Sequence, residues 1–313
     1  MKPPFLNREL TFKSRLVGAC VLLLIMLGTL GTLGTLAACA PATLINALTP
    51  SFAYKKTSSI AYLPSGNPRQ QLDVYQPTDL ALASTPRPVV VFFYGGAWQE
   101  GSRSDYLFVA EALTQRGYVV VVPDYRVFPE VKYPDFLNDG AAAVAWTTTN
   151  IDRYGGDRSR IFLMGHSAGA HIAAMLVLDA TYLDAQRVAR TSMKGLIGLA
   201  GPYDFLPLTE PNVIALFASE SALERTQPIH YVSGASRKFT PPVLLLHGDK
   251  DERVMLKNSV NLARELRATG VKVELDLLPG LSHIDIIAKF TRLLRGDGKV
   301  VDRVDQFIRE NAG

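Results

Sequence analysis

Six runs rich in apolar, β-branched and aromatic residues constrain this chain more than any other feature: Val89–Tyr94, Tyr118–Val122, Arg160–Met164, Gly195–Leu199, Val243–Leu246 and Val271–Leu278. A strand that is apolar along its length must be covered on both faces, which a parallel sheet flanked by helices provides. Helical patterns over 104–116, 135–150, 169–182, 255–269 and 284–312 alternate with these runs, the last broken at Gly296-Asp297-Gly298. Crossovers of that length imply right-handed βαβ units. Leu72–Tyr75, preceded by Ile60–Leu63, reads as an antiparallel leading edge. The expected fold class is α/β, with a mostly parallel doubly wound sheet in one domain over 59–313. Residues 201–241 break the alternation with prolines at 202, 207, 211, 228 and 241. An insertion of this length in a compact α/β domain reads as a lid or binding segment.

The N-terminus reads as an address. Lys2, Arg8, Lys13 and Arg15 precede residues 16–38, which carry no charge and are rich in Leu, Val and Ile. That is the layout of an export signal. It accounts for most of the formal net charge of +4, so the body is close to neutral and nucleic acid is not suggested as a partner. The run closes in Leu36-Ala37-Ala38-Cys39, which resembles the bacterial lipobox. That resemblance implies a signal peptide over 1–38, a lipid on Cys39, a tether over 39–58 and a membrane as partner. With Ala40 after the cysteine, it also implies the outer membrane where the host has one. An uncleaved transmembrane anchor and a secreted form cut after Ala40 are the alternatives. Cys20 and Cys39 are the only cysteines, which provides neither a disulfide framework nor a Cys-rich metal site.

Chemistry is expected at three strand ends. Gly165-His166-Ser167-Ala168-Gly169 matches G-x-S-x-G between a strand and a helix, the context in which a serine is lifted off a sheet as a nucleophile. Tyr94-Gly95-Gly96-Ala97-Trp98 follows another strand. Backbone N–H groups from Gly95, Gly96 and Ala97, with that of Ala168, would receive the oxyanion of a tetrahedral intermediate. A nucleophilic serine needs a base, usually a histidine. His166 abuts the serine and should point away from it. His171 lies one helical turn on, behind the elbow, and His230 is in the insertion. His247 ends a strand, where it would brace a turn. His283, in the loop after the last strand, has the place that the order Ser…Asp/Glu…His requires. The acid comes from the turn holding Asp249, Asp251 and Glu252. Trp98, Phe205, Leu206 and Phe217 are candidates for a substrate pocket.

From about residue 70 onward the chain resembles the α/β-hydrolase superfamily. Within it, the chain is similar to hormone-sensitive-lipase-like carboxylesterases, kynurenine formamidases and isoprenylcysteine methylesterases. Gly-Gly-Ala-Trp at 95–98, Asp124-Tyr125-Arg126, Tyr154-Gly155-Gly156-Asp157 and Gly-His-Ser-Ala-Gly-Ala-His at 165–171 carry the similarity. The resemblance implies that Asp251 is the acid, through the spacing His-Gly-x-x-Asp-x-x-Val from His247, and leaves Asp249 as a turn residue. It also implies Asp124–Arg126 and Tyr154–Asp157 as scaffold. Such esterases usually carry His-Gly-Gly where this chain has Tyr94, so the brace of that loop must differ, with the Tyr94 hydroxyl as the expected substitute. The implied activity is hydrolysis of small carboxylic esters, short-chain acyl or aryl, through an acyl-enzyme, with no metal or organic cofactor. An arylformamidase-type amidase, a prolyl-oligopeptidase-type peptidase (which would need an extra domain) and a silent lipid-anchored binding protein are the other readings.

Overall fold

The computed structural model describes residues 54–78, 85–233, 239–296 and 298–313, together with Asn46 and Thr49. The expected signal peptide and Cys39 lie outside the described residues. Eight strands form one sheet: β1 (Tyr54–Ala61), β2 (Gln71–Pro77), β3 (Arg87–Phe93), β4 (Val119–Pro123), β5 (Gly156–His166), β6 (Met193–Leu199), β7 (Val243–Gly248) and β8 (Val273–Leu278). Their order is β1-β2-β4-β3-β5-β6-β7-β8. β1 pairs antiparallel with β2, and β2 antiparallel with β4. Every later pairing is parallel. β1 begins earlier than expected. Residues 54–58, read from sequence as the end of a tether, are strand, with Tyr54 opposite Pro77 and Thr57 opposite Val74. That stretch is polar after Tyr54 and mostly exposed, so it lacks the apolar run that marks an inner strand.

The helices are α1 (Leu107–Thr114), α2 (Asp135–Asn150), α3 (Ala168–Leu178), α4 (Ala180–Ala185), α5 (Pro211–Phe217), α6 (Lys257–Ala268), α7 (His283–Ala288) and α8 (Lys299–Asn311). α3 packs on β5 and β6 and against α2, whereas α8 packs on β6 and against α1. Every residue of β4 is buried, which requires cover on both faces. Burying each of its valines contributes about 1.5–3 kcal/mol. The helix read over 169–182 is split at Asp179, whose carboxylate caps α4 by accepting from Thr181 N at 3.0 Å. The C-terminal helix breaks earlier than its glycines suggest: α7 stops at Ala288 and turns occupy 289–296. Among the described residues no helix is long and apolar enough to cross a membrane.

The register positions the site. Phe93 of β3 lies opposite Gly165 of β5, His166 opposite Leu199, Leu199 opposite Leu246, and Gly248 opposite Leu278. The carboxyl ends of five parallel strands are therefore level, and the loops leaving them share one edge of the sheet. In open α/β sheets that edge is where ligands bind.

Candidate active site

Ser167 caps α3 with φ 55° and ψ −124°, a conformation that costs a non-glycine residue about 1–3 kcal/mol. Its N–H donates to Leu199 O at 2.9 Å, and its carbonyl accepts from Ala170 N at 2.9 Å and His171 N at 3.2 Å. The turn is tight enough that a Cβ on Gly169 would lie 2.1 Å from Phe93 O, and one on Gly165 2.2 Å from Gly169 O. These contacts explain the glycines on either side of the serine.

His283 opens α7 and is 5% exposed. A capping box between Ser282 and Asp285 fixes that first turn. Hydrogen bonds from the Ser282 hydroxyl and then its N–H hold the Asp285 carboxyl below the usual range. The Nδ1–H of His283 donates to Asp251 Oδ2 at 2.7 Å, which leaves Nε2 as the nitrogen for a proton acceptor's work. Asp251 Oδ1 accepts from Arg253 N at 2.9 Å and Val254 N at 2.8 Å. Burial raises the Asp251 carboxyl, but hydrogen bonds from His247, His283 and Val254 N outweigh it and hold it well below the usual range. Asp249 is elsewhere, exposed and accepting from Gly280 N at 2.6 Å. Of the candidate acids, the structure brings Asp251 to His283, while Asp249 ties the two loops together.

Gly96, Ala97, Ala168, Ser167 and His283 line a single cavity of about 600 Å³. Among the described residues the N–H groups of Gly96, Ala97 and Ala168 have no acceptor, so they are available to an incoming oxygen. Gly96 has φ +128°, and a Cβ there would lie 2.2 Å from Glu100 O. Gly95 is not on the cavity. It lies behind it, where a Cβ would come 3.1 Å from Ser167 Cβ and 3.0 Å from His166 Nδ1, so its place is close packing rather than donation. The loop is braced from below. Tyr94 OH donates to Asp124 Oδ1 at 2.9 Å, and Tyr125 OH donates to Tyr94 O at 2.8 Å. Phe128 N donates to Trp98 O at 2.9 Å, and Arg103 forms an ion pair with Asp124. The Tyr94 hydroxyl thus anchors the loop through Asp124. Arg126 pairs with Asp139, so Asp124-Tyr125-Arg126 is framework.

The pocket candidates divide. Trp98, Phe205 and Leu206 line the cavity; Phe217 does not. It is fully buried, edge-on to Trp98 at 5.2 Å and 5.7 Å from Phe205, and supports the wall from behind. Apolar character marks both a core and a pocket residue, and sequence alone does not separate them. The insertion is that wall. Asn258 Oδ1 accepts from Tyr203 N at 2.8 Å and Asp204 N at 2.7 Å, and Gln227 Oε1 accepts from Phe205 N at 2.7 Å. Asn212 on α5 reaches back to Gln99 beside the oxyanion loop at 2.8 Å.

One histidine sits differently from expectation, and another braces its turn as expected. His166 does not point away from the site: it lines the cavity, its ring is 4.8 Å from that of His283, and its Nε2–H donates to His283 O at 3.1 Å. Burial first, then the nearby His283, pushes its pKa down to about 3, so it stays neutral. His247 lies 3.3 Å from Asp251 Oδ2. The His166 contact has no signal in the sequence, because it crosses between loops, whereas His247 and Asp251 lie four residues apart in one turn. His171 is buried behind the elbow, bonded to Thr226 O at 2.8 Å, with burial lowering its pKa to about 4. Among the described residues no three His, Cys, Asp or Glu side chains are grouped as a metal site requires.

The BD-FAE pattern matches residues 72–266. The chain belongs to the BD-FAE family. Isoprenylcysteine alpha-carbonyl methylesterase ICME of Arabidopsis thaliana is 31% identical to this BD-FAE chain over 252 residues, which is 75% of this chain and 58% of the relative. Esterase LipC of Mycobacterium tuberculosis is 32% identical over 238 residues, 69% of this chain and 57% of its own length. The chain thus spans less than two thirds of these relatives. A truncated carbohydrate esterase from gut microbiota has the same fold, with a TM-score of 0.71 at 20% identity over 84% of this chain and 98% of its own. The fold is that of the α/β-hydrolases.

Proposed function

We propose that this BD-FAE member is a serine carboxylesterase, cleaving short-chain acyl or aryl esters through an acyl-enzyme. The observation that carries the reading is the 2.7 Å bond from His283 to Asp251, with His283 and Ser167 on one cavity. Ser167 Oγ attacks the ester carbonyl as His283 Nε2 takes its proton. Asp251 keeps the proton on Nδ1 and stabilises the imidazolium. The N–H groups of Gly96, Ala97 and Ala168 receive the oxyanion, each donor lowering the barrier by about 3–4 kcal/mol. His283 then protonates the leaving alcohol, and water repeats the cycle on the acyl group. The names of relatives, a methylesterase and an esterase, agree with ester rather than amide cleavage. Ser167→Ala should abolish p-nitrophenyl acetate hydrolysis and fluorophosphonate labelling. Labelling that persists in the variant overturns the assignment of the nucleophile.

The Leu36–Cys39 motif supports a second element of the proposal, that Cys39 is acylated and the catalytic domain works outside the cytoplasm on a bacterial membrane, the outer one where there are two. Two or three acyl chains anchor stably, whereas one is marginal. Cells fed radioactive palmitate should label the wild type and not Cys39→Ser. An unlabelled wild type whose N-terminus is Met1 or lies beyond Ala40 overturns the anchor.

A further inference from the structure

His247 is the next-to-last residue of β7, its side chain is fully shielded, and each ring nitrogen has a defined neighbour. Nε2 faces two oxygens that only accept, Val254 O at 2.9 Å and Asp251 Oδ2 at 3.3 Å. It must therefore carry the proton and share it between them. Nδ1 lies 2.8 Å from the hydroxyl of Ser259, a buried residue on α6, and with the proton on Nε2 it accepts from that hydroxyl. Ser259 thereby fixes which way the ring is turned and which nitrogen faces the acid.

We infer that Ser259 and His247 form a latch that positions Asp251 for His283, so that the hydrogen-bonded support of the base begins two residues behind the acid. The oxygen His247 contacts is Oδ2, the same one that accepts from His283 Nδ1 at 2.7 Å. His247 also holds the carbonyl of Val254, whose N–H donates to Oδ1 at 2.8 Å. One ring thus restrains both carboxylate oxygens, one directly and one through the next peptide. His247 touches neither substrate nor reacting atoms; it is a positioning residue. A triad acid that turns by a fraction of an ångström aims His283 away from Ser167, and misplacement by about 1 Å costs about 100-fold in rate.

The inference rests on the esterase reading, and the test separates the two. Full-length wild type, His247→Phe, His247→Gln and Ser259→Ala are compared on p-nitrophenyl acetate, with rates expressed per active site counted by end-point fluorophosphonate labelling. His247→Phe keeps a ring but donates nothing, and kcat should fall about tenfold or more with KM little changed. His247→Gln returns an N–H near the position of Nε2 and should recover most of that loss. Ser259→Ala frees the ring to turn and should lower kcat a few-fold, also at constant KM. If His247→Phe does not fold, Ser259→Ala and His247→Gln decide alone. Wild-type kcat per labelled site in Ser259→Ala overturns the latch, as does a loss confined to KM or equal losses in the Phe and Gln variants. Activity surviving in Ser167→Ala would instead overturn the esterase reading itself.

Discussion

Asp251→Asn is the sharpest perturbation available, because the surroundings dictate how the amide must sit. Two N–H groups, those of Arg253 and Val254, point at Oδ1, so the amide oxygen must occupy that side. The NH2 group then takes the place of Oδ2 and points at His283 Nδ1, 2.7 Å away in the native pair. A nitrogen facing an N–H donor cannot keep its own proton there, so His283 must carry its proton on Nε2, the nitrogen that should accept from Ser167. The nucleophile loses its base with almost no change of shape. Loss of the correct tautomer in such a triad costs about 10⁴-fold in kcat, or about 5 kcal/mol of barrier. Asp249→Asn is the control. Its role is to accept from Gly280 N, which an amide oxygen also does, and as an exposed site it should shift the energy by no more than about 0.5 kcal/mol, about twofold in rate. The assay is p-nitrophenyl acetate hydrolysis per folded molecule, with near-UV circular dichroism to establish folding. Comparable losses at the two positions, or an Asp251→Asn enzyme within about tenfold of wild type, would refute the tautomer argument.

Phe217→Ala, which empties a fully buried site, should lower unfolding free energy by about 3–5 kcal/mol. Phe205→Ala should leave stability closer to wild type and shift preference toward longer acyl chains. Urea denaturation and an acyl-chain series read the two, and an interchange of their effects would place Phe217 on the cavity. For pH, His171 and His166 have folded values lowered by burial to about 4 and about 3 from 6.5. Below pH 6.5 the unfolded chain takes up protons that the native one refuses. Their contribution to stability is thus fully present above pH 6.5 and is lost as pH falls toward the folded values, by up to about 1.4 kcal/mol per pH unit for each histidine. His171→Gln keeps a donor for Thr226 O and should make urea-measured stability fall less steeply between pH 6 and pH 4.5. Slopes identical to wild type would show that His171 is not held neutral.

Local pattern carried the sheet and the elbow because each depends on neighbours in sequence. Val119–Val122 reads as an inner strand from four adjacent valines, and it is buried throughout. Ser167 reads as an elbow from the two glycines whose missing Cβ atoms leave room for Gly169 O and Phe93 O. Family spacing singled out Asp251 over Asp249, and the structure places Asp251 against His283. Features that depend on loops meeting had no such pattern. His166 reaching the carbonyl of His283, Gly95 falling behind the cavity and Phe217 falling behind Phe205 follow from how separate strand ends converge. The start of β1 was lost for a different reason: an exposed edge strand buries too little to leave an apolar run.

Level strand ends also explain why so much polar architecture surrounds one serine. A parallel sheet delivers its loops to one edge, but it does not orient them, because loops carry no ladder hydrogen bonds of their own. The orientation here comes from side chains, buried ones at two of the three loops, that take over the missing backbone partners. Asp124 holds the oxyanion loop through Tyr94 and Arg103. Asn258 and Gln227 hold the start of the insertion, and the Ser282–Asp285 box holds His283. A buried amide left without a partner costs about 1–3 kcal/mol, so removing any of these side chains penalises the loop it secures more than the sheet below. Asn258 is 2% exposed and accepts from two consecutive peptides. Both of those N–H groups would be orphaned together by its loss, and Phe205, the next residue along, is the one that lines the cavity. Control of the pocket therefore resides partly in a polar residue on its own wall, Asn258, anchored on α6 beside the latch on Asp251.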